Sequence, residues 1–377
     1  MKTAVEQTSI ELTTDAEFVQ FCRNLGEQSL LEIPANTEVT VENISGNINR
    51  VRRVIFTDAS TQTKQSYIIK TLPAEGRLER YPNIIFPKDR LSYEHQYYQQ
   101  FASQSNSRLQ NWTPQIFYVD PPNVSQKQTI LQTLVTADLE QMNARALKTF
   151  VSTGAAIPKD FCHTFGYHLG LAHLLNNKTD LFNNPAAAEN RPYVLTQPFT
   201  ESVSLFERWR SQPSQQWRCT LQQEFLDTYK DQLYPIAQDL LARFKEDPLQ
   251  VLTHGDLHCE SIFIRGSEPT VIDAELCDTG AAWFDTGMAA AHLWMLSAVS
   301  TERLSISEFL AGYEAVLIEA GISISLPELR QNTLRLAGFE IIRRIIGTAN
   351  MLYLAAHHAQ QLLALAANKI AQKETLL

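Results

Sequence analysis

Two acidic residues seventeen positions apart, Asp256 and Asp273, sit in the segments His254-Gly255-Asp256-Leu257-His258-Cys259-Glu260-Ser261 and Thr270-Val271-Ile272-Asp273-Ala274-Glu275. Between them, residues 261–265 and 270–273 read as two short strands, with Gly266 and Pro269 closing the turn. The chain therefore runs out and back. Residues just before the first strand come beside residues just after the second, and antiparallel neighbours lie about 5 Å apart. Asp256, Asp273 and Glu275 would repel one another there unless a cation intervened. Magnesium held by one or two carboxylates plus nucleotide phosphates resolves that conflict. The chemistry this set suits is phosphoryl transfer. Asp256 would orient an attacking hydroxyl and accept its proton, and Asp273 would hold the metal. The remaining positive charge is expected from Lys70, which ends the strand-like run Tyr67-Ile68-Ile69, with Glu94 on the following helix holding it by an ion pair.

The order His254-Gly255-Asp256-Leu257-His258, then Ser261, then Ile272-Asp273 resembles the signature of aminoglycoside phosphotransferases, choline kinases and their relatives. Ser261 stands where most of that group has Asn. With Asp273-Ala274-Glu275 and the Gly-x-x-x-Phe-Asp run at residues 280–285, it is more similar to 5-methylthioribose kinases. Gly46-Asn47-Ile48-Asn49 resembles their glycine loop, and Ile69-Lys70-Thr71-Leu72-Pro73 the strand with their nucleotide-binding lysine. Residues 89–94 resemble the start of the next helix. Residues 337–347 resemble a C-terminal helix whose paired arginines, here Arg343 and Arg344, face the sugar substrate. These islands run over roughly residues 40–347.

The resemblance implies ATP and Mg2+ as cofactors, with Gly46, Asn47, Lys70 and Glu94 at the nucleotide and Ser261 or Glu275 assisting Asp273 at the metal. It implies a hinge near residues 134–137 that meets adenine through backbone groups. The chain also departs from the pattern. Ala274 replaces a favoured Pro, residues 276–281 replace an aromatic residue and a Tyr-Gly-Pro stretch, and the glycine loop has Ser45 and a single Gly. The implied reaction is ATP-dependent phosphorylation of a hydroxyl on a small, sugar-like metabolite, with 5-methylthioribose or a related pentose foremost. Aminoglycoside, choline and homoserine kinases are the alternatives within the class. A nucleotide-binding regulatory protein without turnover is the alternative outside it.

Plainer roles stand beside these. Asp256 and Asp273 could be unrelated loop carboxylates, Glu275 a solvated residue, Lys70 and Glu94 ordinary surface charges, and Gly46-Asn47 a hairpin turn. Glu340 lies three and four residues before Arg343 and Arg344, which offers common intrahelical ion pairs. Successive helical residues point about 100° apart, so the two arginines need not face one place. A buried arginine nevertheless requires a partner. His254 and His258 read as shaping the catalytic loop and Asp285 as a structural brace.

The elements that must position these residues change character along the chain. Residues 37–44, 51–57, 66–70, 115–119 and 128–135 read as strands, with a helix starting near Asp89. Residues 161–176, 224–244, 306–320 and 326–361 carry helical apolar spacing, and residues 183–191 read as an exposed loop. Strands first and helices after, without βαβ alternation, indicate an α+β class. Together with the resemblance this is a protein-kinase-like bilobal fold. Residues 1–136 are expected to form the N-terminal nucleotide-binding lobe and residues 137–377 the C-terminal catalytic and substrate lobe.

Composition bounds the partners. A formal net charge of −9 over 377 residues argues against broad nucleic-acid binding. Cys22, Cys162, Cys219, Cys259 and Cys277 lack C-x-x-C spacing, which suits a reducing compartment. The apolar tracts at 288–299 and 352–367 are broken by His292 and by His and Gln, so no membrane span is expected. The N-terminal residues lack a signal-peptide pattern, the reading is soluble and cytoplasmic, and a homodimer is left open.

Overall fold

The computed structural model describes residues 12–34, 37–44, 49–72, 77–78, 81–85, 89–102, 107–120, 133–175, 182–300, 304–347 and 354–372. They divide into two compact units, residues 1–104 with 113–144, and residues 105–112 with 145–377.

The first unit contains α1 (Asp15–Glu27), β1 (Thr37–Ile44), β2 (Arg50–Asp58), β3 (Lys64–Thr71), β4 (Arg77–Leu78), β5 (Tyr81–Ile85), α2 (Arg90–Ala102), β6 (Ile116–Val119) and β7 (Thr133–Ala137). The expected lobe boundary at residue 136 lies inside β7. Five strands form one antiparallel sheet in the order β1-β2-β3-β7-β6. Thr14 and Glu17 close a reciprocal capping box at the start of α1, which fixes where that helix begins. Phe18, Cys22 and Leu25 of α1 then pack with Val54, Phe56, Tyr67, Ile69 and Val135 of the sheet. The period-2 alternation of a strand puts Tyr67 and Ile69 on that apolar face and turns Ser66, Ile68 and Lys70 to the other.

The second unit begins with β8 (Arg145–Ala146), α3 (Leu147–Thr153), α4 (Phe161–Leu175), α5 (Pro185–Leu195), α6 (Gln197–Thr200), α7 (Ser202–Arg210) and α8 (Trp217–Arg243). It continues with β9 (Gln250–Thr253), β10 (Ile262–Arg265), β11 (Glu268–Val271), β12 (Asp278–Ala281), α9 (Trp283–Val299), α10 (Ile306–Glu319), α11 (Leu326–Ile346) and α12 (Ala356–Ala371). The β10–β11 hairpin pairs Ile262 with Val271, as the turn residues require. A second short pair, β9 with β12, was not legible as strands in the sequence. Helix α4 packs on α10, and α11 packs on both α9 and α12.

Two sequence expectations are corrected. Residues 183–191 are not an exposed loop. Asn184 is a buried N-cap whose side chain accepts from Ala186 N–H, and Pro185 opens α5, the arrangement Asn-Pro favours at a helix start. The helical stretch 326–361 is two helices, since α11 ends at Ile346 with Gly347 in extended geometry and α12 starts only at Ala356. The α+β class itself holds.

Helices α4 and α10 meet through glycine. A Cβ on Gly166 would lie 1.9 Å from the Phe309 carbonyl oxygen, and one on Gly312 would lie 2.1 Å from that of His163. Gly166→Ala or Gly312→Ala is therefore expected to force the helices apart at a cost of about 1–3 kcal/mol. Thermal unfolding against the wild type checks this, and an unchanged midpoint would contradict the close approach.

Candidate active site

The loop between β9 and β10 is shaped by its own backbone contacts. Gly255 has φ of +85°, and a Cβ there would fall 1.9 Å from the Leu276 carbonyl oxygen. Only glycine satisfies both constraints. This presses the loop carrying Asp256 against the segment carrying Asp273 and Glu275.

Two buried side chains complete the loop. The Asp285 carboxylate, at the start of α9 and without solvent exposure, accepts from His254 N–H at 2.6 Å and Gly255 N–H at 3.0 Å. His173 on α4 joins it, with Nε2 3.3 Å from Asp285 Oδ2 and Nδ1 2.8 Å from the Tyr313 hydroxyl. His254 spans the two halves. Its Nε2 lies 2.8 Å from the Ile272 carbonyl, and Asp256 N–H points at its Nδ1 at 3.4 Å. Burial pushes the His254 imidazole below its ordinary pKa, so a neutral ring donates to Ile272 and accepts from Asp256. It is a strut between the Asp256 loop and the residue before Asp273.

Ser261 is also turned inward. Its fully buried hydroxyl accepts from His258 N–H at 2.9 Å and lies 2.8 Å from the His258 carbonyl. Asp273 adopts φ of +66° just beyond β11, a conformation uncommon for a side chain other than Asn, Asp or Gly. A carboxylate oxygen of Asp273 and one of Glu275 lie within 4.8 Å of each other. These hard oxygen donors suit magnesium, whose ligands sit at about 2.1 Å. Asn184 pins the stretch after them by donating from Nδ2 to the carbonyls of Glu275, at 2.8 Å, and Cys277, at 3.1 Å.

The arginine helix meets this loop. On α11, Glu340 has no solvent exposure and accepts from Arg343 Nε at 2.6 Å, Arg343 Nη2 at 2.8 Å and Arg344 Nε at 2.6 Å. Both guanidinium groups also reach Asp256 Oδ1, Arg344 through its spare Nη2 at 3.3 Å and Arg343 through the Nη2 it shares with Glu340, at 3.5 Å. Intrahelical pairing and a shared focus therefore coexist. Burial opposes ionisation of Asp256, but His258, Arg344 and Arg343 outweigh it and lower its pKa. Glu340 is held far below the usual range against the cost of burial by the same arginines.

In the first unit, Lys70 Nζ lies 2.8 Å from both carboxylate oxygens of Glu94, and the Tyr98 hydroxyl donates to Glu94 Oε1 at 2.6 Å. Lys70 occupies the middle of the sheet, opposite Val51 of β2 and Leu134 of β7. Gly46 and Asn47 lie outside the described residues. Asn184, His173 and His292 were missed as site-shaping residues. The Asn-Pro pair and single histidines within apolar helices were the available signals.

Residues 183–317 match the phosphotransferase enzyme family. The chain is a small-molecule kinase, similar over that stretch to the family. Methylthioribose kinase of Geobacillus kaustophilus (strain HTA426) is 26% identical over 339 residues, which cover 81% of this kinase and 78% of the relative. Methylthioribose kinase of Bacillus cereus (strain 03BB102) is 35% identical over 123 residues, 27% of this kinase and 31% of that chain. A crystal structure of choline kinase from Cryptosporidium parvum Iowa II aligns with a TM-score of 0.52 at 14% identity, covering 94% of this kinase and 95% of that chain. The fold is thus protein-kinase-like, and ATP use follows from the kinase class. Among the described residues, no helix is long and apolar enough to cross a membrane.

Asp285→Asn keeps the shape of the loop brace but removes its charge. A charge-assisted hydrogen bond contributes about 1.5–3 kcal/mol, so the His254 and Gly255 amides are expected to exchange with solvent roughly ten- to hundredfold faster. Hydrogen exchange resolved at those two amides is the measurement.

Proposed function

We propose that this kinase transfers the γ-phosphate of ATP to a hydroxyl of a small neutral polyol, 5-methylthioribose or a related pentose. The observation that carries the reading is the convergence of Arg343 and Arg344 on Asp256 Oδ1. Two guanidinium groups at that carboxylate suit a neutral or anionic acceptor and disfavour the cationic head of choline or an aminoglycoside. The similarity to one methylthioribose kinase over most of the chain supports the pentose.

In this mechanism Asp256 accepts a hydrogen bond from the acceptor hydroxyl and aims its oxygen at the γ-phosphorus. Its lowered pKa makes it a weak base. Orientation is then its main contribution, and the proton moves late, which a loose phosphoryl-transfer transition state permits. Asp273 and Glu275 would hold magnesium. When bound, that ion supplies charge neutralisation at the phosphate oxygens. Ser261, with its hydroxyl bonded inside the loop, would keep the loop's shape and leave the metal to the two carboxylates. Lys70, oriented by Glu94, would contact the nucleotide phosphates, and Gly46 with Asn47 would cover them.

Asp256→Asn is expected to lower kcat by about 10²–10⁴ while ATP affinity changes little. Coupled ADP-release assays over pentoses, amino alcohols and aminoglycosides, together with ATP titration, test both halves. Turnover confined to cationic acceptors would overturn the polyol assignment. Chelation of divalent metal should abolish turnover, and added Mg2+ should restore it. Because the folded pKa of Asp256 is depressed, the group is ionised above its ordinary value of 3.8. A carboxyl 13C titration is expected to place its midpoint below that value.

A further inference from the structure

Helix α9 carries two groups that the reaction as drawn does not use directly, Asp285 and His292. They stand seven residues apart, two helical turns on one face, and neither has any solvent exposure. Asp285 holds the Asp256 loop. His292 lies on the other side of the same centre. Its Nε2 is 3.3 Å from Glu340 Oε1, and its ring centroid is 5.9 Å from that of His258, whose Nε2 lies 3.8 Å from Asp256 Oδ2. We propose that His292 is a positioning residue for phosphoryl transfer, its Nε2–H fixing the Glu340 carboxylate so that the guanidinium groups of Arg343 and Arg344 are both held beside Asp256. The proposal rests on Asp256 being the carboxylate that meets the acceptor hydroxyl.

The need for such a group is geometric. Arg343 and Arg344 are consecutive, so their side chains leave the helix about 100° apart. They reach one oxygen of Asp256 only because a single carboxylate binds the Nε of each. Glutamate has three side-chain torsions, and a Glu340 free to turn could serve either arginine alone. His292 restrains it from a different helix. The α9–α11 interface is tied by the Thr286 and Thr333 hydroxyls, 2.8 Å apart, so the distance from His292 to Glu340 is held by packing.

The imidazole is costly where it stands. It interrupts the apolar run Met288-Ala289-Ala290-Ala291-His292-Leu293, and its buried Nδ1 has no hydrogen-bond partner among the described residues. Burial depresses its pKa to about 4, so the ring is neutral at physiological pH and Nε2 acts as donor to the ionised Glu340. A leucine would pack the helix without either penalty. The bond to Glu340 and the ring against His258 are what the imidazole supplies instead.

The test compares His292→Phe, which keeps a ring and loses the donor, with His292→Gln, which keeps an N–H donor on a flexible chain. For Phe, kcat/KM of the polyol acceptor is expected to fall about ten- to hundredfold, the scale of a hydrogen bond to a charged group. KM for ATP should stay within about twofold, and Gln should recover most of the loss. Side-chain 15N NMR supplies a readout independent of turnover. The Nε–H signals of Arg343 and Arg344, assigned through Arg343→Lys and Arg344→Lys, should be slow to exchange in wild type and Gln and lost in Phe. His292→Asn, whose shorter amide does not reach Glu340, gives the same contrast if the Phe variant does not fold. A Phe or Asn variant with both arginine signals and full acceptor kcat/KM overturns the proposal. Signals lost in the variant, with a wild type that phosphorylates no polyol, leave His292 as the restraint on Glu340 and overturn the assigned reaction instead.

Discussion

A carboxylate that water cannot reach organises the second unit. Glu340 is fully buried, and a buried charge is tolerable only when cations and hydrogen bonds surround it. Arg343 and Arg344 meet that requirement together. In doing so they lose their freedom, and an Nη2 of each is held beside Asp256. The proposed role of Asp256 follows from this arrangement. A carboxylate flanked by two guanidinium groups and His258 stays ionised and is a poor base. In the proposed reaction it would serve as an acceptor that holds a hydroxyl in line.

Helix α9 gives this arrangement its rigidity. Asp285 takes the two backbone donors that would otherwise be stranded at the turn of the loop, and His292 two turns later touches the arginine cluster. One straight element thus references both the loop and the arginine helix. The close approach of Gly255 to Leu276 and the two bonds from Asn184 align the strand that follows Asp273. The positive φ of Asp273 persists because it is fixed from several sides.

Much of this was readable along the chain. The out-and-back path of β10 and β11 was visible in the strand runs and their turn, and the α+β class in the passage from strands to helices. The Lys70–Glu94 pair followed from a strand-end lysine and an acidic residue in the next helix. Other elements gave weaker signals. Asp278-Thr279-Gly280-Ala281 has little β propensity and forms β12 only because β9 lies beside it. Residues 183–191 are polar enough to pass for a loop, yet α5 is anchored by bonds from Asn184 to residues more than ninety positions away. The continuous apolar spacing from 326 to 361 concealed the break after Ile346, because periodicity reports a buried face and not where a helix must stop.

The sequence by itself determined which residues could do chemistry. Acid, lysine and arginine types at characteristic spacings are covalent facts, and short-range pairings such as the β10–β11 hairpin and Glu340 with Arg343 follow from local geometry. Tertiary structure alone decided where their side chains aim. Two consecutive arginines point apart on an isolated helix, and His292 reads as an interruption in an apolar tract. Only the packing of α9 on α11 places an imidazole against Glu340, and only the folded chain sets both arginines beside one oxygen of Asp256. Convergence of groups from distant parts of the chain depends on how buried faces fit together, and one-dimensional spacing carries little of that information.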